Sequence, residues 1–525
     1  MKSFKRLASL VLALALVVTF SLSGMGTMTV EAAKSSGVAI GGVLIQGANV
    51  VVASSGTAAS DDGLYHLVAA DMVAPAQSGA DVAQVPVSAN ANFTAPLNKA
   101  AANSLLFKKF TVCVMRGGAL TPVSNSMFIT NPEACATYNA ARMDYSKKGI
   151  LPALESYRQH GNGPKVLGCT QVILTLPLSW ISYGSGVPYQ YNGKTVNFET
   201  ARLSGFDYSI RRYNQLGCQV TLVVAADQNA QTQFLSPYAL KGLGTANWYG
   251  MNGATMDGLD LLGAAGAFLA ERYSGATGHG QVDNFIIGNE VNAWRQWNYM
   301  DCGNIDNYTQ QYANSFRMLY NGIKSGNGSA NVYVSLDQQW AKAGGGFYPG
   351  KTLLTKFNDD IRSTGNIDWR VATHAYSVPL TNAMAWAPTK NLTHSQSSPF
   401  ISVQNLEVLT DFLSQPSFLS PSGAVRTVKL SEQGWTSLTG EQYQAASIIF
   451  GYMAAMKNSH VDGFILSREY DENVEIAQGL ANGLRSTNDV PKLSYTWYQN
   501  ADSPDIQAQA SAVAGVDFNA LLQVR

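Results

Sequence analysis

From about residue 140 onward, short continuous hydrophobic runs alternate along the chain with longer stretches of helical character. Continuous hydrophobic runs are typical of parallel strands that are buried on both faces of a sheet. The pattern therefore predicts strands at Thr170–Leu178, Gln219–Ala226, Asn284–Glu290, Val332–Gln338, Arg370–Tyr376, Thr427–Glu432 and Gly463–Ser467.

Helices are predicted before these strands, at 147–159, 206–216, 257–273, 307–324, 352–362, 403–413 and 441–458, with a final helix near 495–500. Repeated βα units of this length predict the α/β class, and within it a (β/α)8 TIM barrel. The first barrel strand is expected between Thr111 and Ile129. A doubly wound open sheet is the rival fold, and it is disfavoured because no glycine-rich phosphate loop opens a helix.

Residues 34–125 have a different pattern, in which short β-branched runs alternate with clusters of Gly, Ser, Asp and Pro. This pattern predicts a small all-β, sandwich-like accessory domain that precedes a barrel domain at 126–525. The accessory domain could bind carbohydrate or brace the barrel, and bracing is the favoured interpretation.

The first 33 residues have the organisation of a signal peptide. Lys2, Lys5 and Arg6 precede an uncharged run over 7–20, and small residues follow up to a cleavage site near Ala32 or Ala33. An uncleaved N-terminal anchor is the alternative. No later segment reaches the roughly 18 apolar residues of a membrane-spanning helix. We therefore expect a protein that is secreted or held at the cell surface, with no membrane span after cleavage.

Charged residues are scarce in this chain. They make up 13% of the sequence, and 35 basic residues balance 35 acidic ones. No basic face indicates a nucleic-acid partner. A surface of neutral polar and aromatic groups favours a neutral, hydroxyl-rich ligand. Of the five cysteines, Cys169 and Cys218 stand in matching phrases before two strands, where they are either small buried hydrophobic residues or, less favoured, a disulfide.

Catalytic groups of a barrel project from the carboxyl ends of its strands. The predicted fourth strand ends on Asn289 and Glu290, the sixth on His374 and Tyr376, and the seventh on Glu432. Cleavage of a glycosidic bond needs two carboxyls, one to protonate the leaving oxygen and one to attack the anomeric carbon. Two strand-end glutamates at one barrel mouth supply such a pair.

These motifs resemble those of the large clan of retaining (β/α)8 glycosidases. Gly288-Asn289-Glu290 is similar to the clan's acid/base signature, and the stretch from Ser431 to Trp435 is similar to its nucleophile motif. The resemblance covers about 165–470 and includes the stretches at 174–180 and 374–376. The layout also resembles a poorly characterised bacterial family of secreted glycosidase-like proteins.

The resemblance implies a role for each matching residue. Glu290 would be the general acid/base and Glu432 the nucleophile. Asn289 would bind the hydroxyl next to the anomeric carbon, Tyr376 would orient Glu432, and His374 would lie beside it.

The chain departs from the clan at two strands. No arginine ends the second strand, so either Arg295 or Arg468 replaces it or the nucleophile is supported in a different way. No tryptophan ends the eighth strand, where Arg468 and Glu469 stand instead. Further candidate substrate-binding residues follow strand ends, each with core packing or loop capping as the competing interpretation: Trp294, Trp340, Trp435, Asp227, Arg468 and Glu469.

The predicted function is a secreted retaining glycoside hydrolase that cleaves an oligo- or polysaccharide. We expect no cofactor and no metal, because no cluster of His and Cys suggests a metal centre, and no GxSxG motif supports an esterase. Two alternatives remain open: a non-catalytic carbohydrate-binding surface protein on a degenerate barrel, and a transglycosylase. A structural cell-surface protein has no repeat or low-complexity segment in its favour.

Overall fold

A computed structural model describes residues 37–152 and 162–523. Its first seven strands form two antiparallel sheets with the orders β1-β2-β5 and β4-β3-β6-β7. The prediction of an all-β region before the barrel is confirmed. The strands are β1 Val38–Gln46, β2 Asn49–Gly56, β3 Leu64–Ala70, β4 Ala80–Pro86, β5 Asn90–Pro96, β6 Lys109–Arg116 and β7 Ala119–Phe128.

Eight parallel strands then close into a barrel, in the order β8-β9-β12-β13-β14-β15-β16-β17 and back to β8. The predicted (β/α)8 fold is confirmed. The barrel strands are β8 Lys148–Ile150, β9 Gln171–Pro177, β12 Gln219–Ala225, β13 Asn284–Ile287, β14 Asn331–Leu336, β15 Trp369–His374, β16 Val428–Gln433 and β17 Val461–Leu466.

The prediction for the first barrel strand was wrong. The stretch from Thr111 to Ile129 forms most of the antiparallel hairpin β6–β7, and the first barrel strand is β8. The helix predicted over 147–159 is therefore wrong at its start, and its remainder falls largely on residues that the structure does not describe. β8 has only three residues, and its sequence Lys-Gly-Ile lacks the hydrophobic run that marks the other barrel strands.

Helices follow most barrel strands. The helices predicted from residue 206 onward are confirmed, and their observed ends differ from the predicted ends by a few residues; the helix predicted over 403–413, for example, begins at Leu406. The described helices are α1 Gly163–Val166, α2 Leu203–Gln215, α3 Pro237–Leu240, α4 Met256–Arg272, α5 Ile305–Gly326, α6 Gly350–Ser363, α7 Leu406–Leu413, α8 Glu441–Lys457, α9 Asn473–Ile476, α10 Leu493–Gln499, α11 Pro504–Ala514 and α12 Phe518–Gln523. A two-stranded hairpin of β10 Tyr183–Tyr191 and β11 Lys194–Phe198, which the pattern did not predict, follows β9.

Close packing of α4 against α5 depends on glycine. A Cβ atom on Gly322 would lie 2.3 Å from the carbonyl oxygen of Gly263, so the two helix backbones touch where they cross. Inside the barrel, a small apolar cluster that includes Ile173, Val223 and Ile286 fills the space between the strands. This packed interior forms the floor beneath the carboxyl ends of the strands.

The end of β7 is hydrogen bonded to the barrel. The amide of Phe128 donates at 2.8 Å to the carbonyl of Thr364, the residue that follows α6.

All five cysteines are free, which confirms the interpretation of Cys169 and Cys218 as buried small residues. No helix of the described chain has the length and apolar character required to cross a bilayer. The predicted signal peptide at 1–33 lies outside the described residues.

Candidate active site

Glu290 follows β13 at the carboxyl end of the barrel, in a backbone conformation that few residues other than glycine adopt. Its φ is 41°, and that of Gly288 two residues earlier is 79°. The Glu290 amide donates to the Ser335 hydroxyl at 2.9 Å, and the next amide, of Val291, donates to the Ser335 carbonyl at 3.0 Å. Ser335 of the neighbouring strand β14 therefore holds the turn that positions the Glu290 carboxyl.

Glu432 lies near the end of β16, directly opposite His374 of β15. The two residues are paired across the strands after an irregularity at Thr373–His374 that shifts the register. Just past β15, the Tyr376 hydroxyl donates to Oε1 of Glu432 at 2.6 Å. The predicted contact between Tyr376 and Glu432 is thus present in the structure.

His374 connects the two glutamates. Its Nδ1 lies 2.6 Å from Oε1 of Glu290, and its Nε2 lies 3.7 Å from Oε2 of Glu432. The Glu290 side chain is 12% exposed, whereas that of Glu432 is 36% exposed. The two carboxyls therefore lie on either side of a single imidazole ring, one nearly enclosed and one more open to the mouth.

The charges of this cluster decide the ionisation of His374. Burial by itself would lower the pKa of His374, but the carboxylates of Glu432 and Glu290, with the hydrogen bond to Glu290, raise it to about 9. The ring is therefore an imidazolium at neutral pH. Burial also raises the pKa of Tyr376, and the Glu432 charge raises it further, so Tyr376 stays a hydrogen-bond donor.

A cavity of ≈ 30 Å³ lies at the centre of the barrel mouth, with room for about one water molecule. Asn289, His374 and Glu432 line it together with hydroxyl-bearing and aliphatic side chains: Thr175, Ser335, Ser431, Leu151, Ile173, Val223 and Ile286. Three of the predicted site residues thus line one small cavity. Glu290 contacts one of them, His374, through a hydrogen bond.

Residues 140–519 match the sequence profile of DUF5722, a family of unknown function. The chain belongs to this family. No curated protein matches the sequence.

Three solved structures illustrate what the fold of this DUF5722 chain is similar to. A family 39 glycoside hydrolase from Bacteroides cellulosilyticus is 14% identical, with a TM-score of 0.45 over 90% of this chain and 80% of that chain. A β-glucosidase from Thermotoga maritima is 14% identical, with a TM-score of 0.42 over 66% and 86%. A β-glucuronidase from Ruminococcus gnavus is 9% identical, with a TM-score of 0.35 over 89% and 69%. Likeness at this level does not identify a shared activity.

The structure does not bring the predicted tryptophans to the cavity. Trp435 is 0% exposed and Trp340 is 2% exposed, so neither presents a ring face for sugar stacking. Trp340 packs edge-on against Phe412 at 5.0 Å, and the Trp435 ring lies against Gly451 of α8. For these two residues, the prediction of a sugar-binding face was wrong, because the rings are core side chains that follow strand ends.

Trp294 is partly buried, and its ring stacks on Tyr348 with the centroids 5.9 Å apart. The guanidinium of Arg295 lies over the Trp294 ring at 5.6 Å. Trp294 remains a candidate for substrate contact at the rim. Arg295 is exposed, and in the described part of the chain it makes no ion pair with Glu432, so its proposed replacement of the strand-two arginine has no support here.

The other polar candidates have structural partners. Asp227 accepts a hydrogen bond from the amide of Ser179 at 3.0 Å, which ties the loops after β9 and β12 together. Arg468 pairs with Glu475 at 2.7 Å and also with Glu472. Glu469 is buried, with its carboxyl against Gly163 at the start of α1. None of the three lines the central cavity.

Asp337 is a functional candidate that the sequence patterns did not reveal. It follows β14, and burial together with the charge of Glu290 raises its pKa to about 7. The apolar run predicted over 332–338 contains this aspartate, and an acidic residue within a buried strand end is itself a signal for a functional group.

Proposed function

We propose that the chain is a retaining glycoside hydrolase in which Glu290 is the general acid/base and Glu432 is the nucleophile. The observation that carries this proposal is the His374 ring, which lies between two strand-end carboxyls while Tyr376 binds one of them. A pair of carboxyls with unequal exposure at a barrel mouth suits the two different roles of a double displacement.

In the first step, an oxygen of the Glu432 carboxylate forms a bond to the anomeric carbon. The bond from that carbon to the leaving oxygen breaks, and the leaving oxygen takes the proton of the Glu290 carboxyl. In the second step, water attacks the same carbon and gives a proton to the Glu290 carboxylate while the ester bond to Glu432 breaks. Both glutamates thereby regain their initial states.

His374 and Tyr376 control the charge and direction of these groups. The Tyr376 hydroxyl donates a hydrogen bond to Oε1 of Glu432, so Oε2 is the oxygen that attacks the anomeric carbon. The imidazolium of His374 offsets the negative charge of Glu432 before the first step and that of Glu290 before the second. Asn289, at the cavity beside Glu432, would donate to the hydroxyl adjacent to the anomeric carbon.

We further propose that the chain acts on a carbohydrate outside the cell. The N-terminal charge and hydrophobicity pattern of 1–33 supports export. The neutral, hydroxyl-lined cavity supports a substrate that is rich in hydroxyl groups.

The test is a screen of aryl glycosides and oligosaccharides with the full chain, followed by Glu432→Ala and Glu290→Ala on the best substrate. We expect kcat to fall by at least about 10⁴-fold in Glu432→Ala, and azide to restore product as a glycosyl azide of inverted configuration. Glu407→Gln on α7, outside the mouth, is the control and should leave turnover unchanged.

Full activity of Glu432→Ala would refute the assignment. Binding of glycans without cleavage would favour the carbohydrate-binding alternative, and transfer to a sugar acceptor in place of water would identify a transglycosylase. Two tryptophans that could have formed a sugar-binding platform are buried, so that alternative has less support than the catalytic one.

A further inference from the structure

Three consecutive loops at the carboxyl end of the barrel are hydrogen bonded to one another, and the middle loop is the one that begins with the Glu290 turn. In that loop, which follows β13, the Arg295 amide donates to the carbonyl of Gly346, in the loop after β14, at 3.3 Å. The carbonyl of Gln296 accepts from the amide of Asn247, in the loop after β12, at 2.9 Å. We call the three loops the β12–β14 rim; they comprise residues 226–255, 288–304 and 337–349.

Each loop of the β12–β14 rim has an exposed cation above an aromatic ring. The pairs, with the distance from the charged group to the ring centroid, are Lys241 over Tyr238 at 5.8 Å, Arg295 over Trp294 at 5.6 Å and Lys342 over Phe400 at 5.0 Å. A cation above a ring face is attracted by the ring and keeps its N–H groups free for a ligand. The ring also restricts the long side chain, so less conformational freedom is lost when a ligand binds.

The chain does not neutralise these three cations. No ion pair or side-chain hydrogen bond joins any of them to a residue that the structure describes. The carboxyls of the same loops do not pair with them: Asp227 accepts from the Ser179 amide, Glu290 contacts His374, Asp337 accepts from the Gln339 amide, and Asp301 is exposed. Across the barrel, by contrast, Arg468 after β17 pairs with Glu472 and Glu475. The β12–β14 rim therefore offers unpaired positive charge to a ligand.

The position of the rim places this charge on the leaving-group side of the substrate. In the proposed first step, Glu290 protonates the leaving oxygen, so the departing sugar lies on the Glu290 side of the mouth. Arg295 follows Glu290 by five residues (295 − 290) in the same loop. A guanidinium binds an oxyanion through two parallel N–H···O bonds, whereas a lysine ammonium acts as a point charge. One cation on each of three consecutive loops suits an extended chain with repeated anionic groups.

We propose that the β12–β14 rim is a subsite for an acidic oligosaccharide, whose carboxylate or sulfate groups bind Lys241, Arg295 and Lys342 on the leaving-group side of the cleaved bond. The inference rests on the proposed function, because the acid/base role of Glu290 defines that side. In the whole sequence, 35 basic residues are matched by 35 acidic ones. The attraction for an anion is therefore local to the rim and is not a property of the whole molecule.

The first test is binding and needs no turnover. The Kd is measured by calorimetry in the full chain carrying Glu432→Gln, which keeps the ligand intact. The ligands are a hexagalacturonate, a sulfated galactan hexasaccharide and a neutral galactan hexasaccharide. At least one acidic ligand should bind about tenfold more tightly than the neutral one at low salt, and the difference should disappear at about 1 M salt. Whichever acidic ligand binds more tightly identifies the anionic group.

In the same background, Arg295→Gln should weaken binding of the acidic ligand about tenfold, as expected for the loss of charge-assisted hydrogen bonds, and leave the neutral ligand unchanged. Lys342→Gln should weaken it to a smaller extent. Arg116→Gln is the matched control, because Arg116 is an exposed arginine at the end of β6, in the N-terminal sheets. Equal Kd values for acidic and neutral ligands, or an equal loss in Arg116→Gln and Arg295→Gln, would overturn the proposal.

The second test locates the acidic sugar relative to the cleaved bond. The best substrate is prepared with a leaving sugar that carries the anionic group preferred in the binding test, or with its neutral counterpart. We expect kcat/KM to be about tenfold higher for the acidic leaving sugar, mainly through a lower KM, since the contact is made in the bound state as well as in the transition state. Arg295→Gln should abolish this preference, and Arg116→Gln should retain it. A preference that survives Arg295→Gln contradicts the assignment.

The two tests separate the possible failures. If no glycoside is cleaved, the proposed function fails, and the Kd values still decide whether the rim binds acidic sugars. If acidic sugars bind through Arg295 but give no advantage as leaving groups, the proposed function stands and the leaving-group subsite is refuted. If Arg295→Gln does not fold, the comparison of Lys342→Gln with Arg116→Gln decides the proposal.

Discussion

The backbone of Glu290 is held in the left-handed region by its neighbours on β14. A non-glycine residue at a φ of 41° carries a cost on the order of 1–3 kcal/mol, which the surrounding hydrogen bonds must offset. The Ser335 hydroxyl accepts from the Glu290 amide, and the Ser335 carbonyl accepts from the amide of Val291. The position of the Glu290 carboxyl, the proposed acid/base, thus depends on a serine that does not bind it directly.

Ser335→Ala removes one of these hydrogen bonds and leaves the carbonyl in place. We expect kcat/KM to fall about fivefold, which corresponds to the roughly 1 kcal/mol of one hydrogen bond, because Glu290 becomes less well positioned. Thr355→Ala on the outer helix α6, which loses a comparable hydroxyl contact, is the control. Equal kcat/KM in both variants and the unaltered chain would contradict the role given to Ser335.

The raised pKa of His374 makes the stability of the fold depend on pH. The ordinary value is 6.5 and the folded value is about 9, so the folded chain binds this proton more tightly than the unfolded chain. The contribution is fully present below pH 6.5 and is lost as the pH rises through 9. Over this range, the shift corresponds to about 3 kcal/mol.

The free energy of unfolding is measured as a function of pH for the unaltered chain and for the His374→Asn variant. The difference between the two should be constant below about pH 6.5 and should shrink steadily toward pH 9. A difference that is the same at pH 6 and pH 9.5 would show that His374 is not charged in the folded protein.

Several site residues could be predicted because each ends a hydrophobic run: Asn289, Glu290, His374, Tyr376 and Glu432. Asp337 could not, because it joins the site through hydrogen bonds with Asn292, which lies 45 positions earlier in the chain (337 − 292). Trp340 and Trp435 also follow strand ends, but the sequence does not tell whether an aromatic ring points into the mouth or into the core.

At the scale of elements, β8 shows why one barrel strand escaped prediction. It has three residues, and two of them, Lys148 and Gly149, are poor signals for a buried strand. The buried ammonium of Lys148 lies over the ring of Tyr498 at 4.9 Å and donates to the Gln499 carbonyl, both on α10. A distant helix therefore makes this strand possible, and local sequence cannot report such a contact.

Gly149 is required by the closeness of the neighbouring strands. A Cβ atom there would lie 2.3 Å from Cδ1 of Ile465 and 2.9 Å from the backbone oxygen of Gln171, which cannot move freely. Gly149→Ala should therefore lower the free energy of unfolding by about 1–3 kcal/mol. Chemical denaturation measures this change.

Gly205→Ala is the matched control, because Gly205 lies within α2 and its Cβ would meet no atom within 4 Å. That variant should gain about 0.5–1 kcal/mol, as expected for alanine in place of glycine in a helix. If Gly149→Ala were as stable as Gly205→Ala, the close approach of β8 to its neighbours would be wrong.

At the scale of the whole molecule, the barrel could be predicted because its strands after β8 are continuous hydrophobic runs in regular order. The attachment of the N-terminal sheets could not, since it depends on a few long-range bonds. The ammonium of Lys99 donates to the carbonyls of Cys135 and Ser325 and to the Thr137 hydroxyl, at 2.7, 2.9 and 2.9 Å. Ser325 is near the end of α5, so this side chain joins the N-terminal region to the barrel.

Lys99→Met should lower the free energy of unfolding by about 1–2 kcal/mol, because it removes three hydrogen bonds from a partly exposed cation. Catalytic rates should not change, since Lys99 is remote from the mouth. Lys390→Met, at an exposed lysine, is the control and should have little effect. Equal stability of the two variants would show that these bonds do not hold the two parts together.

The most direct test of the central claim is the configuration of the first product that the unaltered chain releases from its best substrate, followed by ¹H NMR before the sugar mutarotates. The account predicts the same anomeric configuration as in the substrate, because Glu432 attacks first and water attacks second at the same carbon. A first product of inverted configuration would contradict the account, since water would then have displaced the leaving group directly.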